Sequence, residues 1–366
     1  MKKRIVICLD GTWNEPEEKS DSGVTPTNVL KLVRIVTPID SSGVHQIVFY
    51  DQGVGTGGPV DRFLGGATGL GISQNILDAY RFLAHNYNEG DEIFCFGFSR
   101  GAYTIRSLGG LIACVGIMPR QHLQHLPTLF KYYRTDPKKR AGLKSYDQVI
   151  KLKKDSIQSP LKFMGVWDTV GALGAPTPFL GWITKKIWVG FHDTELRNIQ
   201  YAYHALAIDE RRGPFAPSVW THKGEDVKEV KQVWFSGAHS NIGGGYRDAA
   251  LSDIAFRWIV KMAQIRDLEV DADVLRQIIH SNYPDWKKDP VNSYTTGYRI
   301  LEKLNVPMYL RPLGKKHRDV DDARMAVGER IHQSAVDRFS GYKTGRLSYN
   351  LENFEHGVKT LPKEPY

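Results

Sequence analysis

Along the chain, short strand-like runs rich in apolar residues alternate with longer stretches in which apolar residues recur every three or four positions. The runs near residues 4 to 9, 45 to 50, 92 to 97, 161 to 167 and 229 to 235 predict strands. The early runs are continuously apolar rather than alternating, which predicts burial on both faces, the condition of a mostly parallel sheet with helices on either side. Between them, Ile72 to Tyr87 places Ile76, Leu77, Tyr80, Leu83 and Ala84 on one stripe. Leu251 to Ile265 does the same with Ile254, Ala255, Trp258 and Met262. Both stripes predict helices that face a core rather than a ligand. Ala323 to Phe339 reads as a further helix. Gln121 to Ser156 is basic and helical in pattern, is interrupted by Pro137, and predicts an inserted cap at about 120–160. The expected organisation is therefore an α/β core over 1–270 that carries this cap, followed by a helical extension over 271–366 packed on the core.

Where the third run ends, the chain reads Gly97-Phe98-Ser99-Arg100-Gly101 and then starts a helical pattern. Strand, G-x-S-x-G turn and helix in that order form a nucleophile elbow. Glycines flank the serine because the turn is sharp and a Cβ at either side would collide with its neighbours. A serine hydroxyl needs a base, and the base needs a carboxylate to orient it. The run 161–167 stops at Asp168 beside small residues, and the run 229–235 leads into a glycine-rich loop carrying His239, so all three fall at strand ends. The Arg100 amide at the helix N-terminus would meet a developing oxyanion, with Gly11 or Thr12 after the first strand as the second donor.

Each of these residues also has a plainer reading. Asp168 fits a helix cap or turn, His239 fits a turn cap, and Asp10-Gly11-Thr12 fits an Asx turn closing the first strand. Asp193, Asp209, Glu210 and Asp253 compete for the acid's place, and Asp253 opens a helix whose dipole it would serve. Strand-end placement favours Asp168.

Four segments taken together resemble a known family: Ile5 to Asn14, Gly97 to Tyr103, Val166 to Gly171 and Gly237 to Tyr246, with Tyr203 to Arg212 adding to the likeness. The family is DUF2235, which includes the catalytic domain of type VI secretion phospholipase effectors, and the resemblance covers roughly residues 3 to 260. It implies an α/β-hydrolase-like fold with inserted cap and lid segments. Carried over by position, it puts the nucleophile on Ser99, the acid on Asp168 and the base on His239, in the order Ser, Asp, His of that fold. It implies an ester hydrolase more firmly than a phospholipid substrate. One departure is Asn241, where the family often has aspartate. The competing reading is a non-catalytic hydrolase-fold module that binds a membrane or a protein partner in a secretion system.

Composition adds the setting. A formal charge of +9 suits anionic partners, but without zinc-finger spacing, an RRM signature or an arginine-rich arm it gives no case for nucleic acid. Phe179 to Phe191 mixes Trp182 and Trp188 with Lys185 and Lys186, which suits a lid at about 172–195 or a peripheral contact with anionic membrane. A core element with its lysines in water fits the same residues. Met1 to Leu9 starts like a signal peptide, yet its apolar run is short and meets Asp10-Gly11 at once, and no stretch approaches a membrane span. Cys8, Cys95 and Cys114 are odd in number and sit in apolar segments, which favours a reducing compartment. A cytoplasmic protein as synthesised is expected, with signal-independent export left open. Gly53 to Gly58 satisfies G-x-G-x-x-G, but Pro59 and the missing ribose-binding acid argue against a dinucleotide site. No P-loop and no metal-ligand spacing is present, His122 and His125 being unsupported, so no cofactor and no metal are expected. Acyl chain, head group and oligomeric state are not legible.

Overall fold

The computed structural model describes residues 2–11, 26–53, 69–170, 195–279, 286–293, 309–315, 325–343 and 354–366. In chain order the strands are β1 (Arg4–Leu9), β2 (Gln46–Asp51), β3 (Glu92–Phe98), β4 (Leu161–Trp167), β5 (Glu195–Leu196), β6 (Ile199–Ala207), β7 (His222–Lys223), β8 (Glu229–Phe235), β9 (Glu329–His332) and β10 (Lys363–Glu364). The helices are α1 (Asn28–Ile35), α2 (Gly69–Asn86), α3 (Ser99–Val115), α4 (Leu126–Arg134), α5 (Tyr146–Asp155), α6 (His239–Gly243), α7 (Ala250–Gln264), α8 (Ala272–Ile278), α9 (Gln333–Lys343) and α10 (Phe354–Thr360).

Among the described residues, eight strands form one sheet in the order β10-β9-β8-β6-β4-β3-β1-β2, and every pairing in it is parallel. The pleat sorts its side chains onto two cores. Ile5, Ile7, Leu9, Ile93 and Cys95 pack with α2 and α3 through Ile76, Leu83, Leu108 and Ile112. Val6, Cys8, Phe94 and Phe96 point the other way, onto Val29 and Leu32 of α1 and Ile254 and Ile259 of α7. Helices on both faces explain why β1 reads as an unbroken apolar run: it has no wet side. The chain is thus α/β with a mostly parallel, doubly covered sheet, as expected.

Three expectations need correction. Residues 199–207 form an unforeseen strand between β4 and β8. The stretch 323–339 is not one helix, because β9 occupies Glu329–His332 before α9 begins. The C-terminal region is therefore not simply a helical extension: β9 and β10 complete one edge of the sheet, over a third core of Leu206, Trp234, Ile331 and Val336.

The basic insert is helical, with α4 and α5 each preceded by a 3-10 turn. It leaves the far end of the 17-residue α3, about 25 Å from Ser99 at 1.5 Å per residue. It closes on itself where Ile117 bridges Ile157, just before β4 begins. Leu126, Leu129, Phe130, Val149 and Leu152 tie it into the core on the α2 and α3 face. The expected lid at about 172–195 lies almost wholly outside the described residues.

Candidate active site

Because the sheet strands are parallel, their carboxyl ends share one rim, and β3, β4 and β8 end there in Ser99, Asp168 and His239. At Ser99 the backbone turns from strand to helix with φ 56. This left-handed conformation is uncommon for a residue with a Cβ and is held by the surrounding structure. Gly101 permits the turn: a Cβ there would stand 2.2 Å from Leu9 O and 2.4 Å from Asp10 O, so α3 could not approach the end of β1. Asp168 also has positive φ, 36, and its N–H donates to Ala205 O at 2.7 Å across to β6.

The three side chains form one hydrogen-bonded line. His239 Nδ1 lies 2.6 Å from Asp168 Oδ2, and His239 Nε2 lies 2.8 Å from Ser99 Oγ. An ionised carboxylate only accepts, so Nδ1 carries the imidazole proton and Nε2 is left to accept from the serine hydroxyl. The imidazole sits between two rings, Phe98 at 4.6 Å and Phe215 edge-on at 5.0 Å. Burial among them lowers the His239 pKa below its usual 6.5, and the Asp168 bond opposes that only in part. The resting imidazole is neutral at neutral pH.

Asp168 is fully buried, which alone would raise its pKa. Arg311 reverses the balance. Its Nη1 donates to Asp168 Oδ1 at 2.5 Å and its Nη2 to Oδ2 at 3.0 Å, while the same two nitrogens donate to Ala207 O at 2.8 Å and Phe215 O at 2.7 Å. With the Ala207 N–H donating to Oδ1 at 2.9 Å and His239 at the other oxygen, the carboxyl is held well below the usual carboxylate range. Arg311 was not foreseen. It is a lone arginine 143 residues from its partner, and no local pattern could announce it.

The rival acids serve other ends. Glu210 Oε2 accepts from the His239 backbone N–H at 3.3 Å, and its carboxylate is held by Arg212 at 2.7 Å and the Ser293 hydroxyl at 2.9 Å. Asp209 Oδ2 accepts from the Gly237 N–H at 2.6 Å, so both steady the loop that presents His239. Asp253 forms a buried pair with Lys31 at 2.7 Å, between α7 and α1. Asn241 keeps its loop bonded without a charge, its Oδ1 accepting from Ala238 N at 3.2 Å and Val291 N at 3.0 Å. Asp193 lies outside the described residues.

Of the expected oxyanion donors, Arg100 is in the first turn of α3. The Gly11 N–H donates to Asp10 Oδ1 at 2.7 Å, in the Asx turn that was its plainer reading, and Asp10 in turn accepts from the hydroxyls of Thr27 and Tyr50. Thr12, Trp182, Lys185, Lys186 and Trp188 lie outside the described residues. Among the described residues no group of three or more His, Cys, Asp or Glu gathers as a metal-ligand set, and no helix is long and apolar enough to cross a membrane.

Residues 3–262 match the family model described as the type VI secretion phospholipase effector Tle1-like catalytic domain. An uncharacterized protein of Saccharomyces cerevisiae is 29% identical over 242 residues, 60% of this chain and 33% of that protein. A structure of the Tle1 effector bound to the VgrG spike of the type 6 secretion system aligns at 18% identity and a TM-score of 0.39, covering 67% of this chain and 51% of its own. An uncharacterized protein from Pseudomonas aeruginosa aligns at 16% identity and 0.45, covering 75% and 48%. A butyrate-bound thermophilic esterase, Est2, from Thermogutta terrifontis aligns at 13% and 0.37, covering 73% and 84%. The chain thus spans a third of the yeast relative (33%) and about half of the effector chain (51%).

Proposed function

The chain belongs to the family of Tle1-like phospholipase effector catalytic domains, and from that premise we propose that it is a serine hydrolase of carboxylic esters working through an acyl-enzyme. The observation that carries the reading is the line from Ser99 Oγ to His239 Nε2 at 2.8 Å and from His239 Nδ1 to Asp168 Oδ2 at 2.6 Å, begun by a serine at φ 56.

Ser99 Oγ attacks the ester carbonyl carbon as its proton passes to His239 Nε2. The imidazolium that forms is stabilised by Asp168, which stays ionised and holds the tautomer. The Arg100 N–H meets the oxyanion; one such donor is worth about 3 kcal/mol to the transition state. The second donor is assigned to the loop after β1, where Gly11 must exchange its bond to Asp10 or Thr12 must serve. The collapsing intermediate expels the alcohol, which takes the proton from His239. Water then repeats the sequence on the acyl-Ser99 ester and releases the carboxylic acid.

As substrate we propose a phospholipid, presented at an anionic bilayer to Trp182, Trp188, Lys185 and Lys186. The family supports the lipid, and the indole and lysine mixture suits the interface. The first test is labelling with a fluorophosphonate, which modifies only an activated serine. The expected result is one modified residue, Ser99, with Ser99→Ala abolishing both labelling and turnover of a p-nitrophenyl ester. An unlabelled but folded chain would favour the non-catalytic module. For the substrate, Trp182→Ala/Trp188→Ala should lower hydrolysis of long-chain lipid in anionic vesicles while sparing the soluble ester; equal loss on both would remove the interfacial role.

A further inference from the structure

A cavity of about 440 Å³ opens on the α3 face of the sheet, walled by α3, the basic insert and the starts of β5 and β6. Arg106, Gly110 and Cys114 line it at helical spacing, so it follows α3 away from Ser99. Its size is that of a small-molecule site.

Its charge is one-sided. Arg106, Arg140, Lys153 and Arg197 line the cavity against one carboxylate, Glu195, which pairs with Arg197 at 2.6 Å at the exposed rim. The cations are held in place. Arg106 Nη1 donates to Ser218 O at 2.5 Å and its guanidinium stacks 5.0 Å from the Trp220 ring. Arg140 donates to Thr135 O at 3.0 Å and Tyr133 O at 2.9 Å, and both it and Lys153 lie over the Tyr132 ring, at 4.9 and 5.6 Å. Among the described residues, neither Arg140 nor Lys153 has a carboxylate within ion-pair distance. Residues 120–155 carry ten Lys and Arg against three Asp, seven of the nine net positive charges of the chain. Buried and partly buried cations fixed by carbonyls and rings, with too little opposing charge, are stabilised by an anion with several oxygens. Met164, Leu196, Ile199 and Trp220 supply an apolar side.

We infer that this cavity binds a phosphate ester: the phosphate lies against Arg106, Arg140 and Lys153, and the organic part against Met164 and Trp220. The site is separate from Ser99 and does not depend on its chemistry.

The test uses the full chain in phosphate-free buffer, with inorganic phosphate, glycerol 3-phosphate, adenosine monophosphate and phosphatidylglycerol vesicles as probes. Binding is read by calorimetry and by the rate at which a small thiol reagent modifies Cys114, which lines the cavity and is half-buried while Cys8 and Cys95 are buried. The expected result is that an organic phosphate binds and slows Cys114 modification. Arg140→Gln/Lys153→Gln should weaken binding by about tenfold or more. The control Lys138→Gln/Lys139→Gln removes the same charge from exposed positions of the same insert and should change it less than about twofold. Melting curves confirm that both variants fold. Protection by the soluble esters assigns the site to a free ligand, and protection by vesicles alone assigns it to a lipid head group; either upholds a phosphate-ester site. Equal weakening in both variants, binding without protection of Cys114, or no binding by any probe overturns it.

Discussion

Replacing Arg311 with methionine separates orientation of the acid from mere filling of space. Arg311 and Asp168 are both wholly buried and joined at 2.5 and 3.0 Å, and Arg311 also satisfies the carbonyls of Ala207 and Phe215. Breaking a buried pair by removing one partner costs about 3–5 kcal/mol, a fall in Tm of about 4–7 °C for a chain of this size. The chemical effect is distinct from that loss. An adjacent guanidinium lowers a carboxyl pKa by about 1–3 units, so without it burial, the largest influence on Asp168, drives the carboxyl up. Where Asp168 stays ionised its charge is no longer shared, so it pulls the His239 pKa up from its depressed position. Both changes move the acidic limb of kcat/KM toward higher pH. The assay is the pH profile of p-nitrophenyl ester hydrolysis, taken well below the melting temperature of each variant. We expect the wild-type limb below about 6.5, the limb of Arg311→Met at least about one unit higher, and a limb between them for Arg311→Lys. A destabilised Arg311→Met with the wild-type profile would refute the reasoning and leave Arg311 a purely structural cation.

Three further outcomes are expected. His239→Ala and Asp168→Asn should each lower kcat by about 10³-fold or more, and adding Ser99→Ala to either should change little, since the three act as one unit. A nearly silent Asp168→Asn beside a crippling Asp209→Asn or Asp253→Asn would move the acid elsewhere. Gly101→Ala drives a methyl to within 2.2 Å of Leu9 O and should cost about 3 kcal/mol or more; an unchanged urea midpoint would contradict the close approach of α3 to β1. Burial lowers the pKa of His204 and of His332 from 6.5 to about 3 in the folded chain. Unfolding therefore takes up protons, so stability should fall as pH drops from about 6.5 toward 3, by up to about 1.4 kcal/mol per unit for each histidine. A melting temperature flat across that window would contradict buried neutral imidazoles.

The strands that carry the site were legible because each ends in an apolar stretch that stops abruptly at a turn of small residues, and the bounds of β4 and β8 match the sequence reading residue for residue. The elbow was legible because strand, turn and helix start within ten residues. What was hidden depends on distant partners. β6 carries Gln200, Tyr201 and His204, which look exposed in a linear reading, yet His204 accepts from the Thr169 N–H at 3.0 Å in the sheet interior. β9 and β10 are short and polar, and their buried glutamates take partners from afar: one oxygen of Glu329 accepts from the Trp234 indole at 2.6 Å and Glu364 pairs with Lys231 at 2.7 Å. The insert was legible as a helical stretch, and because it follows α3 it leaves from the carboxyl end of that helix, a helix length from Ser99.

Arg311 comes late in the chain, outside the stretch that matches the family, and this sets an order of events during synthesis. Ser99, Asp168 and His239 all leave the ribosome before it. At about 5–20 residues per second, the 143 residues between Asp168 and Arg311 separate acid and cation by roughly 7–30 s. For about the second half of that interval, once His239 has emerged, the rim of the sheet carries Ser99, Asp168 and His239 but not the cation that keeps Asp168 ionised when buried. The cation that holds Asp168 ionised thus arrives after Ser99, Asp168 and His239, together with the segment that closes the edge of the sheet.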